Sequence, residues 1–253
     1  MTYCVGMLIE AGLVMMADTR TNAGVDNISV YRKLHVYNGA DRFLAVATAG
    51  NLSITQSTLS KLEEGITNPE TGEVETLWNA GSLFRAVQLV GRTLRTTRLE
   101  ASTGLLADEG ISFGATMLLG GRVGAEPMRL YMIYEAGNAI ECQPDTPYLQ
   151  IGEFKYGKPI LDRVLGYDTP LDEAVKVGLI SFDSTMRSNL AVGLPIDMVT
   201  LRAGKEEKAE VYRIGRDDPY FKQLSQSWGQ KLREAYGSIP RPPFITARPA
   251  DQA

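Results

Sequence analysis

The sequence predicts an α+β protein built from stacked layers of antiparallel sheet and helix. Three observations point there. Strand-like and helix-like segments come in blocks, in the order strands, two helices, strands, two helices, strands, helix; a doubly wound nucleotide-binding fold would alternate them. Tight turns at Glu10-Ala11-Gly12 and Asn38-Gly39-Ala40-Asp41 separate neighbouring apolar runs, and Asn-Gly is a strong hairpin signal. Leu83, Ala86, Val87, Val90 and Leu94 recur at helical spacing.

In chain order, Thr2 to Ile9 and Leu13 to Ala17 read as a hairpin, and the polar run Asp18 to Gly24 as a loop leaving it. Lys33 to Tyr37 and Arg42 to Thr48 form the next antiparallel pair. Helices are expected from Leu52 to Glu64 and from Leu77 to Leu99, with a loop over Ile66 to Glu75. Arg92, Arg95 and Arg98 give the second helix a basic face, which reads as a solvated surface or a subunit contact. Strands resume at Ile111–Leu119, Arg129–Glu135, Ala139–Cys142 and Tyr148–Ile151. Gly120-Gly121-Arg122-Val123-Gly124 lies between strands, not between a strand and a helix, so it is read as a hairpin turn and not a phosphate loop. Helices follow at Lys158–Val164, with Pro159 suited to a first turn, and at Leu171–Arg187. A strand pair, Asp197–Arg202 and Ala209–Ile214, and a helix from Asp218 to Ala235 complete the fold. Residues 1–237 read as a single domain, and residues 238–253 as a proline-rich, flexible tail.

The chain has 253 residues, 44% hydrophobic and 22% charged, with a net charge of −4. That balance gives no reason to expect nucleic acid or an anionic membrane as a partner. No apolar run spans a bilayer, and no basic-then-apolar leader opens the chain. The two cysteines, Cys4 and Cys142, form no CxxC pattern. A reduced, cytoplasmic protein without metal, cofactor or disulfide framework is expected. His35 is the lone histidine, so neither a histidine metal site nor a Ser-His-Asp arrangement is built around it.

Chemistry gathers around Thr2. Once Met1 is removed, a hydroxyl nucleophile and an α-amine base sit on one residue. The amine titrates near pH ~7.7–8 in models, close to what a general base needs. The hairpin brings Asp18 beside Thr2. Lys33 begins the next strand, and its ammonium would lower the hydroxyl's proton affinity, with Asp18 orienting it. Gly50 ends the following strand, where an N–H can face an oxyanion. Each also has a plainer reading: Asp18 as a turn cap, Lys33 as a solvated strand end, Gly50 as a turn glycine.

Thr2 with its alternating strand, Ala17-Asp18-Thr19-Arg20-Thr21-Asn22-Ala23-Gly24, Arg32-Lys33-Leu34 and Ala47-Thr48-Ala49-Gly50 resemble proteasome-type β subunits and HslV. Ser29–Leu34, Gln150–Arg163 and Ser181–Asp197 resemble more narrowly the bacterial proteasome homologues of the Anbu family. The resemblance covers nearly the whole chain except the proline-rich tail. It implies a four-layer αββα N-terminal-nucleophile (Ntn) hydrolase fold. It implies Thr2 as nucleophile, Lys33 and Asp18 as its lysine and orienting aspartate, and Gly50 at the oxyanion hole. Thr21, Ala49, Lys155 and Ser188 are the implied substrate-binding positions. A large homo-oligomer, ring or spiral, and a peptide or peptide-like substrate follow from the same resemblance.

The sequence departs from that pattern in two places. The stretch between threonine and lysine is one residue short, so Lys33 fits with a shortened loop and Arg32 is the alternative. The turn that carries a serine in peptidase subunits reads Gly152-Glu153-Phe154-Lys155-Tyr156-Gly157, which has none. Later, Ser188 or Asn189 stands near the family's aspartate and Ala191 near its serine, with Asp183 one helical turn earlier. The main expectation is an amide hydrolase with threonine acyl-enzyme chemistry. The alternatives are a γ-glutamyl-type or peptide-like amidase or transpeptidase, and an assembly scaffold with weak catalysis.

Overall fold

A computed structural model describes residues 2–22, 28–69, 71–103, 112–204 and 208–244. The first hairpin is β1 (Tyr3–Ile9) and β2 (Gly12–Asp18). It is followed by β3 (Arg20–Asn22), β4 (Ile28–Val30), β5 (Leu34–Asn38) and β6 (Arg42–Gly50). Then come α1 (Leu52–Glu64), the short β7 (Ile66–Thr67) and β8 (Val74–Glu75), and α2 (Leu83–Ser102). The middle strands are β9 (Ala115–Val123), β10 (Arg129–Ile133), β11 (Ala139–Glu141) and β12 (Tyr148–Gly152). They lead into α3 (Lys158–Val164), α4 (Leu171–Ser188), β13 (Ile196–Arg202), β14 (Glu210–Ile214) and α5 (Pro219–Ser238). Residues 1–216 make one compact unit and residues 217–253 a second, which carries α5. In α5, Asp218 caps the first turn by accepting the Phe221 N–H at 2.7 Å. Residues 245–253, most of the expected tail, lie outside the described residues.

Two antiparallel sheets carry the first unit, in strand orders β12-β1-β2-β13-β14 and β11-β10-β9-β6-β5. Alternation along each strand decides what lies on each face. In β6, Phe43, Ala45 and Ala47 join Cys4, Leu13 and Met15 in a core shared by both sheets. Leu44 and Val46 point the other way and pack with Ile54 of α1 and Leu83 and Val90 of α2. In the other sheet, α4 lies on the opposite face. There, a Cβ on Gly178 would stand 2.9 Å from the methyl ends of Met7 and Met16, and Tyr3 stacks on Phe182 with ring centroids 4.5 Å apart. With both faces covered, β2 is buried along its whole length. This explains its near-continuous apolar sequence in an antiparallel sheet, where one-sided burial would alternate.

Three expectations are corrected. Gly120 and Gly121 are not a turn; they pair with Ala45 and Leu44 inside β9. A Cβ at Gly121 would stand 1.9 Å from the Phe43 oxygen, so glycine serves close backbone approach within a strand. The expected loop after Asp18 contains the β3–β4 pair; its Ala23 and Gly24 lie outside the described residues, as does Ile111, the expected start of the β9 strand. Helix α2 begins at Leu83 and not Leu77, because Ser82 caps it by accepting the Arg85 N–H at 3.1 Å. Its Arg92 and Arg98 pair with Glu75 and Glu135, so much of the basic face is neutralised within the chain.

Candidate active site

The site starts from the edge of β1. Tyr3 pairs with Gly152 of β12, and one step further the Glu153 N–H donates to the Thr2 carbonyl at 2.7 Å. Gly152 has φ +79°, and a Cβ there would stand 2.0 Å from the Thr2 oxygen. Only glycine lets β12 close on the first residues of β1 in this way. On the opposite side, the Tyr3 N–H donates to Asp18 Oδ1 at 3.0 Å. The Thr2–Tyr3 peptide unit is thus held from both sides, by the Glu153 backbone N–H and by the Asp18 side chain.

Asp18 is fully buried at the end of β2. Its Oδ1 also accepts from Lys33 Nζ at 2.9 Å, and its Oδ2 accepts from the Gly193 N–H at 3.4 Å. Lys33 is itself buried and donates to the Arg20 carbonyl at 2.5 Å. Burial pushes the Asp18 carboxyl above the usual carboxylate value, while the Lys33 ammonium and the amides of Tyr3 and Gly193 pull it down. Arg32 is exposed and lines a different depression with Asp197 and Arg213, so Lys33 is the partner Asp18 takes. The Tyr31 N–H donates to the Thr19 carbonyl at 2.9 Å, continuing the β3–β4 pair towards Lys33.

Thr2, Thr21, Lys33, Ala49 and Gly50 line one cavity of about 520 Å³, together with Thr48, Leu52, Thr55, Gly152 and Glu153. A second cavity of about 620 Å³ shares Ala49, Gly50 and Gly152 with it and is walled by Met132, Tyr134, Tyr148, Leu149 and Phe154. Gly50 has φ +107°, and a Cβ would stand 2.3 Å from the Gly114 oxygen. Its glycine identity is therefore required by the strand end, whatever else it does. Asn51 follows and caps α1 by accepting the Ile54 N–H at 3.2 Å.

The structure does not bring every expected residue to the cavity. Lys155 and Ser188 are exposed and do not line it. Glu153 lines it instead, and Asn189 Nδ2 donates to Glu153 Oε2 at 3.0 Å. The sequence offers Glu153 and Lys155 both as solvated turn residues and as cleft-lining ones; the cavity takes Glu153 and leaves Lys155 to solvent. Asp183 is buried and paired with Arg187 at 3.1 Å. His35 is half-buried on β5, and burial lowers its pKa. Burial pushes both thiols up, Cys142 to about 12, so neither is a thiolate nucleophile. Among the described residues, no cluster of metal-ligating side chains occurs and no helix is long and apolar enough to cross a membrane.

The site is thus a threonine at the head of a strand, beside a buried aspartate–lysine pair. No protein-family model and no curated protein matches the chain. Solved structures do. "Anbu (ancestral beta-subunit) from Yersinia bercovieri" is 44% identical, with a TM-score of 0.84, covering 96% of this chain and 100% of that one. A Pseudomonas aeruginosa structure described as the helical assembly of the Anbu complex is 41% identical, with a TM-score of 0.87 and coverage of 96% and 98%. Anbu from Hyphomicrobium sp. strain MC1 is 43% identical, with a TM-score of 0.84 and coverage of 96% and 100%. The chain belongs to the Anbu family.

Proposed function

We propose that the chain is an N-terminal-threonine amide hydrolase with a four-layer αββα Ntn-hydrolase fold. The observation that carries this reading is the convergence of Thr2, Lys33 and Gly50 on one cavity, with Lys33 fixed by buried Asp18 at 2.9 Å. Removal of Met1 frees the Thr2 amine. That amine, directly or through one water, takes the hydroxyl proton as Thr2 Oγ1 attacks an amide carbonyl carbon. The Gly50 N–H stabilises the oxyanion. Collapse of the adduct passes the proton to the leaving amine and leaves an ester on Thr2. Water, deprotonated by the same amine, then hydrolyses the ester. Lys33, held charged by Asp18, lowers the cost of the developing alkoxide. No cofactor enters this scheme.

A peptide-like substrate is favoured over a small metabolite by the presence of two neighbouring cavities that share Ala49, Gly50 and Gly152 in their walls. Thr21 and Ala49 are the proposed substrate contacts in the cavity. Self-assembly in a helical fashion is proposed from the Pseudomonas aeruginosa relative's helical assembly. The buried free thiols suit a reducing, cytoplasmic setting.

The test is intact-mass analysis after exposure to an epoxyketone or a β-lactone. Wild-type protein lacking Met1 is expected to gain one probe, and Thr2→Ala none. Absence of the adduct on protein with a free Thr2, across pH, would sink the reading.

A further inference from the structure

We propose that Glu153 is the positioning residue for the Thr2 α-amine, pairing with it once Met1 is gone. The inference rests on the reading of Thr2 as an N-terminal nucleophile. The Glu153 N–H donates to the Thr2 carbonyl at 2.7 Å, one step beyond the Tyr3–Gly152 pair. The two residues therefore stand opposite one another just beyond the paired ends of β1 and β12. Opposite residues in an antiparallel pair share a face, with Cβ atoms roughly 4.5–5.5 Å apart. In such a strand, the nitrogen and the carbonyl oxygen of one residue face the same neighbour. Thr2 turns its carbonyl to β12, while the Tyr3 N–H turns to Asp18 on β2. The Thr2 nitrogen accordingly faces the Glu153 backbone, and the Glu153 side chain lines the cavity that Thr2 also lines.

The cavity adds a second line. Glu153 lines it beside Thr2, and no other carboxylate among the described residues does. Asn189 Nδ2 braces Glu153 Oε2 at 3.0 Å, which leaves Oε1 to accept from an ammonium. The surrounding charges have partners of their own. Asp18 pairs with Lys33 at the ends of β2 and β5, Arg20 of β3 donates to the Leu190 carbonyl, and Asp183 pairs with Arg187 near the end of α4. From α1, only Leu52 and Thr55 reach the cavity. A carboxylate thus lines the cavity in which a new cation appears on processing.

A carboxylate beside an ammonium stabilises the charged form, commonly by about 1–3 pH units. The Thr2 amine would then stay protonated above the ordinary α-amino range of about 7.7–8. The nucleophile would be primed at alkaline rather than neutral pH.

Competitive acetic anhydride labelling of the mature full-length protein across pH, read as the mass of the N-terminal peptide, gives the amine's titration midpoint without turnover. Glu153→Gln is expected to lower that midpoint by about one unit or more, a tenfold change in proton affinity. Asn189→Ala is expected to lower it by less, because only the brace is lost. Equal midpoints in wild type and Glu153→Gln overturn the proposal. β-Lactone acylation over the same pH range keeps the two readings apart. A shifted midpoint without acylation of either protein supports the Glu153 pairing and removes the nucleophile reading. Acylation of both with equal midpoints keeps the nucleophile and removes the role of Glu153.

Discussion

The Asp18 carboxylate and the Lys33 ammonium meet at 2.9 Å with both side chains almost wholly shielded from water. A pair of this kind is costly to break on one side, because the survivor is a buried, unmatched charge. Asp18→Asn and Lys33→Met should each lower stability by about 3–5 kcal/mol. The double variant should recover part of that loss. Urea unfolding midpoints check this, and additive losses would show that the pair is not coupled. Each single variant should also slow β-lactone acylation of Thr2 by about 10²–10⁴-fold, the range of a positioned proton-transfer group.

Gly152→Ala tests the clamp on Thr2. Its Cβ would collide with the Thr2 oxygen from a φ of +79°. A loss of about 1–3 kcal/mol is expected from backbone strain. Acylation should fall by about 100-fold as Thr2 is displaced. Gly124→Ala is the control: φ is +58° there, with nothing within 4 Å of the new Cβ. It should cost stability without slowing acylation, and an equal slowing in both would refute the clamp.

Tyr3→Phe removes a phenol that contacts Ser181 Oγ at 3.0 Å and accepts from Gln150 Nε2 at 2.6 Å. The ring still fills its place against Phe182, so the loss is polar. A decrease of about 1–3 kcal/mol is expected, measured by denaturant unfolding. An unchanged midpoint would mean that the hydroxyl contributes nothing to the seam between β1 and α4.

His35 sets a pH dependence whose sign is fixed by burial. Burial holds its folded pKa below the ordinary imidazole value of about 6.5. Below that value the unfolded chain binds the proton more readily, so stability falls as pH drops from about 6.5 towards the folded pKa. Above it, this contribution is constant. His35→Gln should narrow the difference in urea midpoint between acid and neutral pH, while an unchanged difference would assign the acid loss elsewhere.

The elements were largely legible because periodicity and turn chemistry are local. Helix α1 runs from Leu52 to Glu64, after the Ala49-Gly50-Asn51 opening, and α3 from Lys158 to Val164, with Pro159 in its first turn. Gly120 and Gly121 misled because a turn glycine and a strand glycine read alike; what distinguishes them is the Phe43 backbone, far away in sequence. Helix α2 starts late because Thr76 donates its N–H to Asn79 Oδ1 at 2.7 Å, forming a turn ahead of the Ser82 cap.

The site divides in the same way. Sequence by itself determined Thr2 at the head of the first strand, Asp18 at the end of its hairpin partner and Gly50 at a strand-to-helix junction, because hairpin geometry follows from neighbouring residues. Only the tertiary structure decided that Lys33 and not Arg32 meets Asp18, and that Lys155 and Ser188 face solvent. It also decided that Glu153 stands opposite Thr2 with Asn189 behind it. These relationships depend on β12 pairing with β1 across some 150 positions of chain and on the end of α4 coming to the same edge. Such register is set by how buried faces and backbone hydrogen bonds are satisfied together, which no local pattern encodes.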